Sequence, residues 1–421
     1  MSEIRICGYR PLSGEINVQG SKNGVLPMLA ASLLQRGTMR FTNVPIIQDV
    51  ACMVGILESV GCRCWFGRNV LSVDASGILG TEIPKADVKK MRSSILVMGA
   101  LLGRMGKAGA WYPGGCSIGS RPVDLHLLAF SGLGACVKEE DGRIEAWGRM
   151  EGGRILFPFP SVGATENALL ASVMAAGETE ICGAAKEPEV IGLCSLLRQM
   201  GALIEGDGTD RIRIKGGREL HETEYAVPGD RIAAGTYLTA VTAAGGDAVL
   251  WGAPWESMET VIRSLRGCGA DIEPIIGVGG TVAGAHIRME GRPKPARIRT
   301  GPYPEFPTDL QSPMLSVLSL AEGESVLTET VFEARFKTAG ELVKMGADIS
   351  VSGNQAMIRG RERLSGTRVR AWDLRGGAAL VAAGLAASGE TVIEDCIHIE
   401  RGYEDICRDF QFLGGDICWS A

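Results

Sequence analysis

The chain has 421 residues, of which 45% are hydrophobic and 22% charged, and its formal net charge is -6. This length accommodates two ordinary domains, and the composition excludes a disordered chain. The negative net charge argues against nonspecific binding to nucleic acid or anionic membranes. The four histidines and twelve cysteines follow no zinc-binding spacing, and no apolar stretch is long enough to span a bilayer. We therefore expect a cytoplasmic protein in a reducing compartment, without a metal or other cofactor.

One pattern recurs six times along the chain. Each copy has a glycine before a β-rich run, then an amphipathic stretch, then a second glycine before another β-rich run. The first glycines are Gly37, Gly109, Gly177, Gly246, Gly323 and Gly389, and the second glycines are Gly61, Gly134, Gly201, Gly269, Gly346 and Gly414. Their nearly constant separation indicates six structural repeats.

The residues around these glycines predict the elements of one repeat. Apolar residues at helical spacing, followed by glycine and then β-branched residues, are typical of a helix that ends in a left-handed glycine and leads into a strand. Before each first glycine lies an Ala- and Leu-rich stretch that is apolar on nearly all sides, which indicates a buried helix. Each repeat should therefore contain a buried helix, a strand, an exposed helix and further strands.

The sixth repeat lacks a closing strand, and the N-terminus offers one. The other repeats close with strings such as RIRIKG (211–216), and EIRICG (3–8) is similar. We expect the first twenty residues to complete the last repeat. The predicted domains are 21–229, which carries a cysteine loop at 112–122, and 1–20 plus 230–421, with a cleft between them.

Polar residues concentrate at the starts of the buried helices and in the loops after the first strands. Helix N-termini bind anions through unpaired N–H groups and the helix dipole, and arginine binds phosphate and carboxylate with two parallel hydrogen bonds. Parallel buried helices would bring together a basic cluster of Lys22, Arg92, Arg121, Arg231, Arg335, Arg375 and Arg401. Any one of these polar residues, taken alone, could instead be a helix cap or part of a surface ion pair. For the whole set, we favour an anion-binding site.

Two further residues have the chemistry of catalytic groups. Cys116 lies in the glycine-rich run PGGCSIGSRPVDLH near Arg121, whose charge would stabilise a thiolate. It is a candidate general acid or nucleophile, whereas the other eleven cysteines are expected to be buried and inert. Asp309 opens a predicted buried helix and is either an N-cap or a general base.

The strings that contain these residues resemble the enolpyruvyl transferases over the whole chain. They are GSKN (20–23), MRSS (91–94), PGGCSIGSRPVDLH (113–126), SVGAT (161–165), PTD (307–309), TVFEARF (330–336), DLR (373–375) and RGYE (401–404). The cysteine loop resembles the branch that acts on UDP-N-acetylglucosamine, at the first committed step of peptidoglycan synthesis. The resemblance implies two inside-out α/β barrel domains, each of three βαβαββ-type repeats.

The resemblance also implies roles for individual residues. Enolpyruvyl transfer from phosphoenolpyruvate to the sugar 3-hydroxyl would use Cys116 as proton donor and Asp309 as base, and Cys116 would react with the epoxide antibiotic fosfomycin. The residues implied for phosphoenolpyruvate are Lys22, Asn23, Arg121 and Arg401, of which Lys22 and Arg401 also count as catalytic. Those implied for the UDP-sugar are Arg92, Arg121, Pro122, Val123, Asp124, Leu125, Ser161, Val162, Gly163, Asp309 and Val331. Supporting roles fall to Glu187, Asp230, Arg231, Arg335, Asp373 and Arg375. The implied partners are these two small molecules, acting on a monomer.

Four positions depart from the family pattern. Gln48 and Phe159 stand where lysines are usual, Leu96 replaces a tryptophan and Ala233 a glutamate. The sequence therefore leaves two alternatives open: the same chemistry on another acceptor, or a catalytically weak regulatory paralogue. A repeat protein without activity would leave Cys116 in its glycine-rich loop unexplained.

Overall fold

A computed structural model of the protein describes residues 3–113 and 122–420. These residues form two compact units. Domain 1 comprises 20–113 and 122–228, and domain 2 comprises 3–19 and 229–420. Each domain has its own hydrophobic core.

Strands and helices alternate through both domains. The strands are β1 (Glu3–Cys7), β2 (Leu12–Asn17), β3 (Thr38–Thr42), β4 (Arg63–Gly67), β5 (Val70–Asp74), β6 (Lys107–Trp111), β7 (Cys136–Glu140), β8 (Arg143–Trp147), β9 (Gly153–Leu156), β10 (Glu178–Cys182), β11 (Leu203–Glu205), β12 (Arg211–Lys215), β13 (Glu224–Ala226), β14 (Gly246–Trp251), β15 (Asp271–Ile276), β16 (Val282–Met289), β17 (Arg297–Arg299), β18 (Glu324–Thr328), β19 (Asp348–Ser352), β20 (Gln355–Arg359), β21 (Arg368–Arg370), β22 (Glu390–Glu394) and β23 (Asp416–Ser420). The α-helices are α1 (Lys22–Ala31), α2 (Gln48–Ser59), α3 (Lys85–Val88), α4 (Leu96–Met105), α5 (Asp124–Gly132), α6 (Val162–Ser172), α7 (Pro188–Gln199), α8 (Arg231–Ala244), α9 (Glu259–Gly267), α10 (Gln311–Leu318), α11 (Lys337–Lys344), α12 (Leu374–Ala386) and α13 (Ile406–Phe412).

The six sheets share one strand order. In five of them, the second strand pairs in parallel with the first and antiparallel with the third. The five orders are β13-β3-β5-β4 and β9-β10-β12-β11 in domain 1, and β2-β14-β16-β15, β17-β18-β20-β19 and β21-β22-β1-β23 in domain 2. The second repeat has β6-β8-β7, and a parallel bridge between Glu82 and Gly109 of β6 takes the place of the first strand. The predicted repetition is therefore present in the sheets themselves.

Three helices fill the centre of each domain. Helices α1, α4 and α6 contact one another in domain 1, as α8, α10 and α12 do in domain 2, and their residues are buried on nearly all sides. The sheets have one buried face and one exposed face, as their alternating side chains require. Each domain is thus an inside-out α/β barrel, with helices inside and sheets outside.

The second glycines end the exposed helices as predicted. All six have positive φ, from 77° at Gly414 to 110° at Gly201, a region that glycine enters without steric cost. One of the first glycines was assigned wrongly. Gly109 does not precede its strand but lies inside β6, and the left-handed residue before that strand is Gly106, with φ of 67°.

The N-terminal strand completes the sheet of the sixth repeat. β1 lies between β22 and β23 and pairs antiparallel with both, with Ile4 opposite Ile393 on one side and Trp419 on the other. Ile4 and Ile6 are fully buried in the core of domain 2. In the other sheets this place is taken by the strand that ends the repeat.

The expectation of eleven buried cysteines is wrong for six of them. Cys62, Cys194, Cys268, Cys396 and Cys407 are buried, but Cys7, Cys136 and Cys418 are exposed, and Cys52, Cys64 and Cys182 are half-buried. The exposed three lie on strands, where successive side chains alternate between the core and solvent.

Candidate active site

The N-termini of the three buried helices of domain 2 meet around one carboxylate. Asp309 lies in a 3₁₀ turn, Thr308–Leu310, directly before α10. Its Oδ1 accepts a hydrogen bond of 2.8 Å from Arg335, and its Oδ2 accepts one of 2.9 Å from Arg375, at the start of α12. The two arginine side chains are only 3% and 6% exposed, whereas the Asp309 side chain is 25% exposed. A partly exposed carboxylate is therefore held by two buried cations.

These charges set the protonation of the cluster. Burial by itself raises the pKa of Asp309, but the positive charges of Arg375 and Arg335 outweigh it and hold that pKa well below its usual range. Burial lowers the pKa of Arg375, and the charge of Asp309 more than reverses this effect. The carboxylate of Asp309 is therefore ionised and the guanidinium group of Arg375 is charged. Asp309 is not the N-cap residue of α10, which is Leu310.

A buried glutamate that the sequence analysis did not select organises the other side of this cluster. Glu329 is 2% exposed. Its Oε1 accepts hydrogen bonds from the backbone N–H groups of Val331 (2.7 Å) and Phe332 (3.0 Å), and its Oε2 accepts one of 2.8 Å from Thr308. Glu329 thereby fixes the segment that carries Val331, which is 41% exposed. Its position inside TETVFEARF, directly after β18, was the available signal.

The other predicted residues of domain 2 surround the same helix ends. Asp230 caps α8 by accepting from the N–H groups of Ile232 and Ala233, and its charge also acts on Arg375. Asp373 caps α12 in the same way. For these two aspartates the capping alternative is therefore the observed structure. Arg231 packs on the ring of Tyr303, and Arg401 ends a 3₁₀ helix, Cys396–Arg401.

In domain 1 the corresponding position holds a buried ion pair. Lys22 is the first residue of α1, and its ammonium lies 2.9 Å from Asp49 in the first turn of α2. The two side chains are 10% and 4% exposed. Ser21 caps the helix by accepting from the N–H of Gly24, and Asn23 is half-buried beside it. The sequence analysis did not select Asp49 as a site residue.

A second group of predicted residues collects at the N-terminus of α6. Ser161 is its N-cap, Val162 and Gly163 follow, and a Cβ placed on Gly163 would lie 3.3 Å from the His126 ring. Asn167 lies 3.0 Å from Nδ1 of His126 and donates to the carbonyl of Ile95. Burial, and to a smaller extent the charge of Arg92, lowers the pKa of His126 to about 3. This histidine is therefore a neutral support for Gly163 that sequence reasoning missed.

The segment that carries Arg92, between α3 and α4, is tied to the last residue of the cysteine loop. The guanidinium of Arg92 donates a 3.0 Å hydrogen bond to the carbonyl of Pro122. Val123 and Leu125 are buried, whereas Pro122 and Asp124 are exposed. Cys116 and Arg121 lie outside the described residues.

Three glutamates gather between α6 and α7. Glu166 is 3% exposed, and its Oε1 has no hydrogen-bond partner among the described residues. Burial raises the pKa of Glu166 well above its usual range, and the charges of Glu189 and Glu187 raise it further. Glu187 is the N-cap residue of α7 but makes no side-chain cap bond.

The four departures from the family pattern occupy different environments. Gln48 and Phe159 are exposed, the latter by 56%, whereas Leu96 and Ala233 are buried in helices of the cores.

In the part of the chain that the structure describes, no three His, Cys, Asp or Glu side chains are arranged to hold a metal ion. Over the same residues, no helix has the length and apolarity needed to cross a membrane.

The chain is similar in sequence and in fold to known proteins. The family model for EPSP synthase (3-phosphoshikimate 1-carboxyvinyltransferase) matches residues 6–410. The solved structure of the enolpyruvyl transferase NikO from Streptomyces tendae superposes with a TM-score of 0.87 at 24% identity, covering 100% of this chain and 99% of that one. EPSP synthase from Acinetobacter baumannii superposes with a TM-score of 0.77 at 20% identity, covering 100% of both chains. The chain therefore belongs to the EPSP synthase family of enolpyruvyl transferases.

Within that family, the chain is similar over its full length to relatives that share one name. The chain is 46% identical over 421 residues to UDP-N-acetylglucosamine 1-carboxyvinyltransferase 2 of Caldanaerobacter subterraneus subsp. tengcongensis, covering 99% of both chains. It is also 46% identical over 419 residues to UDP-N-acetylglucosamine 1-carboxyvinyltransferase of Nitratidesulfovibrio vulgaris, again covering 99% of both.

Proposed function

We propose that the protein transfers the enolpyruvyl group of phosphoenolpyruvate to the 3-hydroxyl of UDP-N-acetylglucosamine and releases phosphate. The structural observation that carries this proposal is the Asp309 carboxylate held between two buried arginines at converging helix N-termini. Such a site combines a proton acceptor with preorganised positive charge, which is what enolpyruvyl transfer between anionic substrates requires. The product would be the first committed intermediate of peptidoglycan synthesis.

In this reaction Asp309 accepts the proton of the 3-hydroxyl as the oxygen attacks C2 of phosphoenolpyruvate. Cys116, which lies outside the described residues, donates a proton to the methylene carbon C3. The C2–O3 bond and the C3–H bond form together, giving a tetrahedral intermediate that carries both the sugar and the phosphate. Loss of a proton from C3 and of phosphate from C2 then restores the double bond in the enolpyruvyl ether.

The low pKa of Asp309 limits it as a base in the ligand-free protein. While both arginines are bound to it, the carboxylate is a weak proton acceptor. We propose that the negative charge of the bound substrates offsets the positive charge of the two arginines, so that the pKa of Asp309 rises towards the range in which a base is effective.

Cations assigned to phosphoenolpyruvate come from several elements. Lys22, Arg121 and Arg401 would bind its phosphate and carboxylate, with Asn23 beside Lys22. The 2.9 Å contact with Asp49 holds the Lys22 ammonium at the start of α1, where the helix dipole also favours an anion. No metal is needed in this scheme, because the side chains themselves offset the charge of the phosphate.

The nucleotide sugar would bind along α6, the segment after the cysteine loop and the Val331 segment. Ser161, Val162 and Gly163 lie at the N-terminus of α6, and Glu329 fixes the backbone of Val331 by accepting from its N–H group. Arg92 and residues 122–125 complete this set. Exposed Phe159 and Gln48 remove two positive charges, each worth about 1 kcal/mol at an exposed position. We therefore expect weaker nucleotide binding rather than a change of acceptor or a loss of turnover.

The first experiment measures phosphate release from phosphoenolpyruvate by the purified protein. UDP-N-acetylglucosamine should support release, shikimate 3-phosphate should not, and mass spectrometry should find the enolpyruvyl ether of the nucleotide sugar. Cys116→Ala is the control and should lose turnover while remaining folded. If the folded protein releases no phosphate with either acceptor, the result would instead favour another acceptor or a regulatory role.

We further propose that the protein acts in the cytoplasm and as a monomer. Both substrates are highly charged small molecules that do not cross membranes unaided. Sedimentation of the purified protein at assay concentration tests the monomer.

A further inference from the structure

A chain of hydrogen bonds connects the buried carboxylate of Glu329 to Asp309. Glu329 is 2% exposed, and its Oε2 accepts a hydrogen bond of 2.8 Å from the hydroxyl of Thr308. The Thr308 oxygen lies 3.2 Å from Nη1 of Arg335, and Nη2 of Arg335 lies 2.8 Å from Oδ1 of Asp309. The proposed mechanism uses Asp309 as the base but gives Glu329 and Thr308 no part in the chemical step.

The direction of each hydrogen bond in this chain follows from its donors. A guanidinium nitrogen only donates, so the Thr308 oxygen accepts from Arg335. Thr308 has a single hydroxyl hydrogen, which therefore points to Glu329. Because Glu329 accepts this hydrogen, the hydroxyl cannot turn it towards Arg335. Glu329 thus keeps a lone pair of the Thr308 oxygen directed at the guanidinium.

Few contacts hold the guanidinium of Arg335. Its side chain is 3% exposed, and its Nε has no hydrogen-bond partner among the described residues. The bonds to Thr308 and Asp309 orient the group, and the ring centroid of Phe332 lies 5.2 Å from its central carbon. Without the Thr308 oxygen, the guanidinium would keep its bond to Asp309 but would be free to turn about it.

The other oxygen of Glu329 acts on the segment assigned to the nucleotide sugar. Oε1 accepts hydrogen bonds from the backbone N–H groups of Val331 and Phe332, at 2.7 and 3.0 Å. These bonds fix the backbone of Val331 and of the residue whose ring packs on Arg335. A single carboxylate therefore holds the acceptor segment with one oxygen and the base cluster with the other.

The backbone that carries Glu329 is itself fixed. Glu329 directly follows β18, and its N–H donates a 2.8 Å hydrogen bond to the carbonyl of Asn354. The next residue, Thr330, binds Thr300 twice: its N–H donates to Oγ1 across 3.0 Å, and its hydroxyl donates to the carbonyl across 2.6 Å. A carboxylate anchored at the end of a paired strand is a rigid reference point for Thr308 and Arg335.

We propose that Glu329 and Thr308 are positioning residues for proton transfer at Asp309, acting through Arg335. This inference rests on the proposed function, in which Asp309 is the base. Glu329 is buried, and both of its oxygens are occupied by donors of the protein. Its contribution therefore comes from the orientation of Arg335 in the chemical step and not from contact with a substrate.

Two isosteric substitutions break the chain at different links. Thr308→Val removes the hydroxyl and leaves Glu329 bound to the N–H groups of Val331 and Phe332. Glu329→Gln keeps an oxygen for those N–H groups, but its amide then presents a donor to Thr308 where the carboxylate presented an acceptor. Thr308→Ser retains the hydroxyl and is the conservative variant. Thr330→Val is the matched control, because it removes a threonine hydroxyl beside Glu329 that lies outside the chain.

The first assay measures enolpyruvyl transfer. Thr308→Val and Glu329→Gln should each lower kcat about tenfold, the factor that corresponds to losing one hydrogen bond to a charged group. KM for UDP-N-acetylglucosamine should stay within about twofold, because both variants keep the bonds to the Val331 segment. The double variant should be no slower than the slower single variant, since both substitutions break the same chain. Thr308→Ser and Thr330→Val should keep the wild-type kcat.

The second assay does not depend on activity. A guanidinium that is hydrogen-bonded through both Nη nitrogens rotates slowly, so that the two nitrogens give separate signals in nitrogen-15 spectra of arginine-labelled protein. The signals of Arg335 are those lost in Arg335→Lys. They should be separate in the wild-type protein, Thr308→Ser and Thr330→Val, and averaged in Thr308→Val and Glu329→Gln.

The outcomes separate the two proposals. An inactive wild-type protein would reject the proposed function, and the Arg335 signals would still decide whether Thr308 and Glu329 hold the guanidinium. In an active protein, wild-type kcat values for both single variants, or losses that multiply in the double variant, would reject the positioning role. Should Glu329→Gln not fold, Thr308→Val compared with Thr308→Ser gives the same decision through kcat and the Arg335 signals.

Discussion

At the scale of single residues, the ion pairs of this protein differ sharply in their surroundings. Arg359 and Glu324 make a 2.9 Å pair on β20 and β18, but their side chains are 69% and 63% exposed. Such pairs contribute little to stability, because water and salt screen them. The pairs of Asp309 have the same length, but their arginines are almost fully buried. Removing one partner there leaves a buried charge uncompensated.

The Asp309→Asn variant tests this difference. The amide cannot accept the hydroxyl proton, so kcat should fall at least about 100-fold. The free energy of unfolding should also fall, by about 3 kcal/mol, because two buried guanidinium groups lose their counter-ion. Turnover assays and urea unfolding measure the two effects, and Glu324→Gln, at the exposed pair, should change neither. An active Asp309→Asn enzyme would remove Asp309 from the role of base.

His126 gives a prediction about pH. Its pKa is about 3 in the folded protein, and burial is the main cause. The unfolded chain binds a proton near pH 6.5, so the folded state loses stability as the pH falls from 6.5 towards 3. Between pH 7 and 5 this loss is about 2 kcal/mol. His126→Gln, which keeps a hydrogen-bonding group beside Asn167, should be less stable at pH 7 but should lose about 2 kcal/mol less than the wild-type protein over that interval.

Urea unfolding at the two pH values measures this difference. The other titrating groups are common to both proteins and cancel in the comparison. Parallel pH dependences for wild-type and variant would show that His126 takes up its proton as readily in the folded protein as in the unfolded chain.

At the scale of elements, sequence patterns predicted local structure better than they predicted the site. Helix C-terminal glycines and all-apolar helices are local signals, because φ and burial follow from a few neighbouring residues. The convergence of Asp309, Arg335 and Arg375 depends on three elements that are distant in the sequence. Periodicity indicated that parallel helix ends would meet, but not that one carboxylate would bind two arginines. Glu329 and His126 were missed because a single polar residue in an apolar or loop segment carries no periodic signal.

Capping at the start of α12 can be separated from ligand binding. Asp373 accepts hydrogen bonds of 2.9 Å from the N–H groups of Arg375 and Gly376. Asp373→Ala should therefore lower the free energy of unfolding by about 1 kcal/mol, whereas Asp373→Ser, which still caps, should keep both stability and kcat. Urea unfolding and turnover assays measure the pair. A folded but inactive Asp373→Ser variant would show that the carboxylate contacts substrate.

At the scale of the whole molecule, the six sheets share one topology, yet one of them is assembled from both ends of the chain. In the sixth repeat β1 takes the place that β5, β12, β16 and β20 take in theirs. The similarity of EIRICG to the closing strings predicted such a strand, because the composition of a strand is visible in the sequence. The exact register, with Glu3 opposite Ser420, is set by packing of Ile4 and Ile6 and is visible only in the structure.

That register predicts a circular permutant. Because Glu3 and Ser420 are paired neighbours on antiparallel strands, residues 421, 1 and 2 would form a three-residue hairpin connection if the ends were joined. A chain that begins at residue 20, runs through 421 into residue 1 and ends at residue 19 should fold, because β1 then follows β23 as a local hairpin. Its free energy of unfolding should lie within about 2 kcal/mol of the wild-type value, since every strand pairing is kept and only one connection is moved. A chain that simply lacks residues 1–19 should instead leave domain 2 unfolded, because β22 and β23 lose their shared partner and Ile4 and Ile6 leave the core. Circular dichroism and urea unfolding of the two chains measure this contrast, and a stable truncated chain would mean that β1 is dispensable for the sixth sheet.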